Sequence, residues 1–376
     1  CRAGSHLRAT HHMTPAHATF GVYIHVPFCS RRCDYCAFAT WDDKADQIDS
    51  YMTALLAEVR RANDEGLPLA ETVFVGGGTP SLVPGESLAK VIAAVRMSAD
   101  AEVTVECNPD NVTESLLRTY RDAGVNRISL GVQSMVPHVL VGLGREHNPD
   151  NVVAAVDAIR GVGVPTFNLD LIYGAHVESL DDWQTTLRSA LALSPPHVSA
   201  YALTVEAGTP LADDDARHPD DDDQADKYPM ADAVFEESGL ANYEISNWAV
   251  PGHESRHNRL YWAQADYRGF GCAAHSHAAG RRWWNVRTPE RFVDLVNKAE
   301  STEAAFERLT GEQIAAERVQ LTIRRREGAA RTDIAPDKQG EIDEMVADGL
   351  LMVVDDRVVL TPRGRLLANA VTLRLT

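Results

Sequence analysis

Three thiols stand in the run CSRRCDYC, at Cys29, Cys33 and Cys36, spaced C-x-x-x-C-x-x-C directly after an apolar, β-branched stretch. Thiolates are soft ligands, which leaves zinc and iron–sulfur centres as the chemistry to weigh. A structural zinc site closes with four ligands, commonly from paired C-x-x-C motifs, and no fourth ligand sits near these three in the chain. Three thiolates suit a [4Fe-4S] cluster better, because one of its four iron corners is then free to take a small molecule. A zinc-binding regulatory protein is the weaker reading. Of the remaining cysteines, Cys107 and Cys272 stand alone and read as small core residues. The opening CRAGSHLRATHHM reads as an expression remnant before Met13, so Cys1, His6, His11 and His12 are set aside.

The elements that must position the thiols follow from periodicity. From Phe20 onward, short β-branched runs alternate with longer amphipathic stretches, the pattern of βα units and a parallel sheet. The strands expected are GVYIHV from Gly21, TVFVG from Thr72, EVTVE from Glu102, RISLGV from Arg127, FNLDLIYG from Phe167 and HVSAYALTV from His197. Between them, DQIDSYMTALLAEVRRA and SLAKVIAAVRMSA carry apolar residues at three- and four-residue spacing, as helices do. The expected fold is α/β, a partial (β/α)6 barrel over 20–245. Polar residues and glycines gather where the strands end, and the carboxyl ends of barrel strands carry the site.

Beyond the sixth strand, ADDDARHPDDDDQAD reads as a solvated loop. An aromatic- and histidine-rich connecting region is expected over 246–300, and a C-terminal α+β unit over 301–376. That tail reads as helix, helix, the hairpin LLMVVDDRVVLTPRG and a further helix, which is winged-helix-like. Residues 1–19 form an arm outside this plan.

Composition narrows the function classes. The chain has 376 residues, 44% of them hydrophobic, enough for a large core. Its 54 acidic against 36 basic residues give a net charge of -18, which works against non-specific binding to nucleic acid or anionic lipid. No apolar run approaches the ~20 residues of a membrane span, and no leader pattern opens the chain, so a cytoplasmic protein is expected.

The cysteine spacing after a first strand, followed by VGGGTP at Val75 to Pro80, resembles the radical S-adenosylmethionine superfamily. Within it, YIHVPFCSRRCDYCAF, VFVGGGTPSL, VECNPD, SLGVQS, LGREHN, FNLDLIYG, YALTVEAGTPL and YEISNWA run in the order of the HemN/HemW group, from roughly Gly21 to Thr376. The resemblance implies a [4Fe-4S] cluster on the three cysteines and S-adenosylmethionine on its open iron. It implies that Tyr23, Gly77, Gly78, Thr79 and Glu106 contact that molecule, and that Tyr35, Gln133, Arg145 and Asp170 surround a second methionine-binding region. Read as residues alone, Glu106, Gln133 and Asp170 are equally barrel-core polar groups, and Arg145 a surface ion pair.

The dehydrogenase branch of the group carries a further cysteine two positions after the third, where this chain has Phe38. The C-x-x-x-C-x-x-C-x-F form is similar to the haem-carrying HemW branch. So is HNRLYW, whose His257, Asn258, Tyr261 and Trp262 would offer iron an imidazole and the macrocycle two aromatic faces. These residues also read as lid packing, and His275 and His277 are alternative ligands. His176 is expected on a turn. The resemblance implies haem as cargo, haem-accepting respiratory proteins as partners, approach to a membrane through such an acceptor, and an electron donor such as flavodoxin or ferredoxin. A homodimer is compatible with it. The alternative is an enzyme on the same scaffold, a coproporphyrinogen III dehydrogenase or a radical methyltransferase. The protein would then position substrate and exclude water while the cofactor supplies the radical.

Overall fold

The structure, a computed structural model, describes residues 20–376. The leading segment, with Cys1, His6, His11 and His12, lies outside the described residues. The six expected strands are all present: β1 (Phe20–Val26), β2 (Ala70–Gly77), β3 (Met97–Cys107), β4 (Arg127–Gln133), β5 (Thr166–Tyr173) and β6 (His197–Ala202). They pair in parallel in sequence order. The helices between them are α1 (Ile48–Asp64), α2 (Gly85–Ala94), α3 (Glu114–Asp122), α4 (Pro137–Gly142), α5 (Pro149–Val162) and α6 (Leu180–Ala192). One face of each strand, such as Val22, Ile24 and Val26 of β1, is buried in the main hydrophobic core with α1, α2, α3, α5 and α6. The opposite face carries polar and aromatic side chains and is concave.

Two strand limits differ from expectation. The helical pattern through Ala99 breaks after Ala94, where Val95 is extended, and Met97 already pairs with Ala70. Strand six stops at Ala202 instead of Val205, because Leu203 folds over a small apolar cluster with Val136, Val139 and Ile172. The acidic run is a loop only as far as Asp220. That residue caps α7 (Asp221–Glu237), and Asp221, Asp222 and Asp223 fill its first turn, where carboxylates meet the positive end of the helix dipole.

Six further strands join the β1–β6 array into one 12-stranded sheet. At the β6 edge lies the hairpin of β7 (Ala241–Glu244) and β8 (Asn247–Ala249). Helix α8 (Arg256–Trp262) follows, and β9 (Asp266–Phe270) then pairs in parallel with β1. Outward from β9 come β10 (His275–Ala278), β11 (Arg281–Asn285) and, after α9 (Pro289–Asn297), β12 (Glu303–Arg308). The connecting region is therefore sheet: a boundary at 245/246 falls inside the β7–β8 hairpin, and the first strand of the tail belongs to the large sheet. The rest of the tail has its own core. It runs α10 (Gly311–Thr322), β13 (Ala329–Ala330), α11 (Gln339–Ala347), β14 (Leu351–Val354), β15 (Arg357–Leu360), α12 (Pro362–Leu366) and α13 (Ala368–Leu375). The β14–β15 hairpin stands where the sequence places it. No helix among the described residues is long and apolar enough to cross a membrane.

One buried ion cluster ties a loop at the barrel mouth to α7. Lys227 is wholly buried and lies 3.1 Å from Glu178 and 2.6 Å from Asp223. Glu178 also accepts the N–H of Gly174, the residue that turns the chain out of β5 at a φ of 91°. Removing one member of such a cluster strands a buried charge, at about 3–5 kcal/mol. Lys227→Met should lower the urea-unfolding free energy by about that much, and adding Glu178→Gln should recover most of the loss. Equal stabilities for Lys227→Met and the unsubstituted protein would contradict this.

Candidate functional site

The cysteine loop leaves the carboxyl end of β1 and is held by backbone contacts on both sides. Cys29 donates its N–H to Trp41 O and Trp41 donates to Pro27 O, which closes the loop. The glycine turn after β2 docks against its base: Gly78 donates to Val26 O at 2.8 Å and Thr79 to Phe28 O at 2.7 Å. A Cβ on Gly78 would sit 2.5 Å from Phe28 O, so only glycine lets the two backbones meet. Gly77 has a φ of 113°, which likewise suits glycine. From the far side, Arg217 pairs with Asp34 at 2.9 Å, and Leu211 donates to Asp34 O.

Below this loop the carboxyl ends of β2–β6 surround a cavity of about 470 Å³. Its walls hold the three cysteines, Tyr35, Gly77, Gly78, Thr79, Glu106, Gln133, Arg145 and Asp170. Of the S-adenosylmethionine contacts expected from resemblance, Tyr23 alone lies outside this cavity. Its phenol hydrogen-bonds His25 Nδ1 at 3.0 Å and lines a second cavity. Arg145 is no surface ion pair: it donates to Gly131 O and to Cys33 Sγ, and its Nε is buried without a partner. Gln133 holds a left-handed φ of 62° at an irregularity in the β4–β5 pairing, a strained conformation at the mouth. Asp170 accepts from Ser129 at 2.7 Å and from Asn168 at 2.7 Å, so it both lines the cavity and anchors a core network.

The donor set fits the cofactors the sequence implies. Three thiolates on one zinc, with bonds of about 2.3 Å, would have to crowd together. Among the described residues, no three His, Cys, Asp or Glu side chains are gathered closely enough to hold a single metal ion. Thiols spread around a pocket instead suit a cluster in which each binds its own iron. Burial pushes the Cys29 thiol up to about 11 and raises Cys36. Across the cavity, burial first and Asp170 second push Glu106 up to about 8, and burial also raises Asp170. Arg31, Arg32 and Arg145 line the same cavity, and two buried carboxyls on its floor suit a cationic ligand, whose charge would relieve both.

The HNRLYW segment forms α8, which lies under the amino ends of the strands. Glu102 accepts the N–H groups of Arg256 and His257, and Ser255 caps the N–H of Asn258. His257 is buried; its Nδ1 shares a 2.8 Å hydrogen bond with Thr72 Oγ1, and its ring packs between Phe74 and Tyr261. Burial pushes it down to about 3. Its Nε2 is buried without a partner. Trp262 stands beside the buried Glu244 carboxyl. Of the four, Tyr261 lines the second cavity. Cys107 and Cys272 are core residues, His176 is exposed on the turn after β5, and His277 is buried against Ala265 O. The sequence reading missed Ser129 and Tyr201, which also line the first cavity. Their signal was alternation: Asn168 and Asp170 in β5 and Ser199 and Tyr201 in β6 are the polar, inward positions of a period-two pattern.

The model of the Radical SAM superfamily matches residues 23–190. Heme chaperone HemW of Mycobacterium tuberculosis is 42% identical over 94% of this chain and 93% of its own. The chain belongs to the HemW family of radical SAM proteins. Heme chaperone HemW of Escherichia coli is 35% identical, over 93% of this chain and 96% of its own. The solved structure of coproporphyrinogen III oxidase (HemN) from Escherichia coli, a radical SAM enzyme, matches with a TM-score of 0.84 over 95% of this chain and 90% of its own. At 20% identity, that likeness speaks for a shared fold. The HemW family assignment implies a [4Fe-4S] cluster and S-adenosylmethionine.

Two substitutions probe the site. Gly78→Ala should part the glycine turn from the cysteine loop, cost about 1–3 kcal/mol and lower the iron bound per chain after anaerobic reconstitution; undiminished iron content would contradict the docking. A carboxyl with a raised folded pKa stabilises the fold fully below its unfolded value and gives that up as pH climbs through the folded one. For Glu106 that window runs from 4.5 to about 8. In cofactor-free protein, Glu106→Gln should match the unsubstituted chain in urea midpoint at acid pH and exceed it at pH 8. Parallel profiles would show that Glu106 ionises freely.

Proposed function

We propose that the chain is a haem chaperone: it binds haem beside a [4Fe-4S] cluster and S-adenosylmethionine, and passes the haem to respiratory acceptor proteins. The observation that carries this is similarity along nearly the whole chain to proteins named heme chaperones. Phe38 supports it, since the dehydrogenase branch has a cysteine there and here the ring is 67% exposed.

In this reading Cys29, Cys33 and Cys36 hold the cluster, and Gly77, Gly78, Thr79 and Glu106 receive the methionine end of S-adenosylmethionine. Tyr35, Gln133, Arg145 and Asp170 line the region beside it, and Tyr23 reaches it from the neighbouring cavity. The cluster, when bound, supplies one-electron chemistry. The chain's own residues bind and orient: the glycine turn brings backbone N–H groups close, the Glu106 and Asp170 carboxyls answer a cation, and the loop carrying Leu211 and Arg217 covers Asp34. The protein acts in the cytoplasm, takes electrons from a flavodoxin- or ferredoxin-type donor, and meets the membrane through its acceptor. A homodimer is compatible with this cycle.

The intact cavity favours a second reading, a radical enzyme acting on a porphyrinogen or a methyl acceptor. Cluster-reconstituted protein given haem, S-adenosylmethionine and reductant without oxygen separates the two. Stoichiometric haem binding, haem release to an acceptor apoprotein and less than about one 5′-deoxyadenosine per chain are expected of the chaperone. Multiple turnovers of 5′-deoxyadenosine that depend on coproporphyrinogen, without haem binding, would establish the enzyme.

A further inference from the structure

The concave face of the sheet carries a second cavity, of about 540 Å³, across β1, β9, β10 and β11. It is walled by Tyr23, Tyr261, Tyr267 and Trp284, with His275 and Arg287 also at its surface. Its volume is that of a site for a sizeable small molecule. It meets the cluster cavity at Ala37 and Phe38, which line both.

Within the haem-chaperone reading, on which this inference rests, we infer that this second cavity is the haem pocket and that His275, rather than His257, presents the imidazole to iron. Four features of the pocket match an iron porphyrin. The ligand is a broad aromatic plane, and the walls offer three tyrosine rings and an indole. Its metal takes an axial imidazole, and His275 is exposed into the cavity with neither ring nitrogen hydrogen-bonded among the described residues. The His275 ring is held flat against Trp284, with centroids 5.7 Å apart and planes 26° from parallel, so its orientation is set in advance. Its propionates need a cation, and Arg287 is exposed at the same cavity with no ion pair among the described residues. Burial and the nearby Arg282 lower the pKa of His275, which keeps the ring neutral and able to ligate.

His257 is also neutral and stacked, on Phe74, but it lines neither cavity and no ligand reaches it. Its Nδ1 is taken by Thr72, its Nε2 has no exposed surface, and its ring is closed in by Phe74, Tyr261 and the Gly21 backbone. Reaching its free nitrogen would mean drawing α8 off Glu102. The part of HNRLYW that meets the ligand is Tyr261, and the rest of the motif supports the wall that Tyr261 forms.

The test is an anaerobic haemin titration of the full chain, read by the Soret band. His275→Ala should weaken binding by about tenfold or more, as loss of a central contact does, and shift the Soret maximum; added imidazole should restore the spectrum. His257→Gln should keep the unsubstituted Soret position in whatever fraction folds, and Arg287→Glu should weaken binding without moving the band. Unchanged affinity and spectrum in His275→Ala would overturn the pocket assignment and leave the chaperone reading standing. Failure of the unsubstituted protein to bind haemin would overturn both. A Soret shift in folded His257→Gln with none in His275→Ala would return the iron to α8.

Discussion

Everything at the mouth of this barrel depends on a backbone contact between two turns. The glycine turn after β2 donates two hydrogen bonds to the base of the cysteine loop, at Val26 O and Phe28 O. The contact has no room for a side chain at Gly78. It sets where the cluster thiols stand relative to the cavity, and the same turn donates the Gly77 N–H to Glu106 at 3.2 Å. Cysteine loop, glycine turn and Glu106 carboxyl are thus referred to one rigid reference, as preorganised sites require.

The second organising constraint is that β1 is an interior strand. It pairs in parallel with β2 on one side and β9 on the other, so the sheet continues past the barrel edge. Tyr23 and His25 face the concave side at the junction, and His25 is tied to Tyr23 and to Ala39 O, just beyond Phe38. Two cavities share one concave surface, divided only by a short piece of the cysteine loop. A strand with hydrogen bonds on both edges is stiff, which suits a divider between two bound groups.

Much of this was legible in the sequence. The parallel strands announced themselves by β-branched runs, the cysteine loop by thiol spacing, and the glycine turn by VGGGTP, because each is a local signal. Three things were not legible. That β9 pairs with β1 is a long-range event which no periodicity in the aromatic-rich segment reveals. The helix after Asp220 was hidden by its charge: three aspartates read as a solvated loop until they are seen in the first turn of α7. The burial of His257 is the third, a tertiary event. Histidine, asparagine and two aromatics look like ligand chemistry in one dimension, and only the Thr72 and Glu102 contacts show that the helix plugs the amino end of the barrel. His275 was named beside His277 as an alternative ligand, and only the cavity separates the two: His275 lines it, while His277 is buried against Ala265 O.

The central claim is that the fold places a cluster and a porphyrin side by side, with Ala37 and Phe38 between them. The most direct test compares the electron paramagnetic resonance signal of the reduced cluster with manganese(II) protoporphyrin bound, which is paramagnetic, and with zinc protoporphyrin bound, which is not. The account predicts faster spin relaxation, seen as saturation at higher microwave power, with manganese. Identical power saturation in the two samples, with both porphyrins shown to be bound, would place the porphyrin far from the cluster and contradict it.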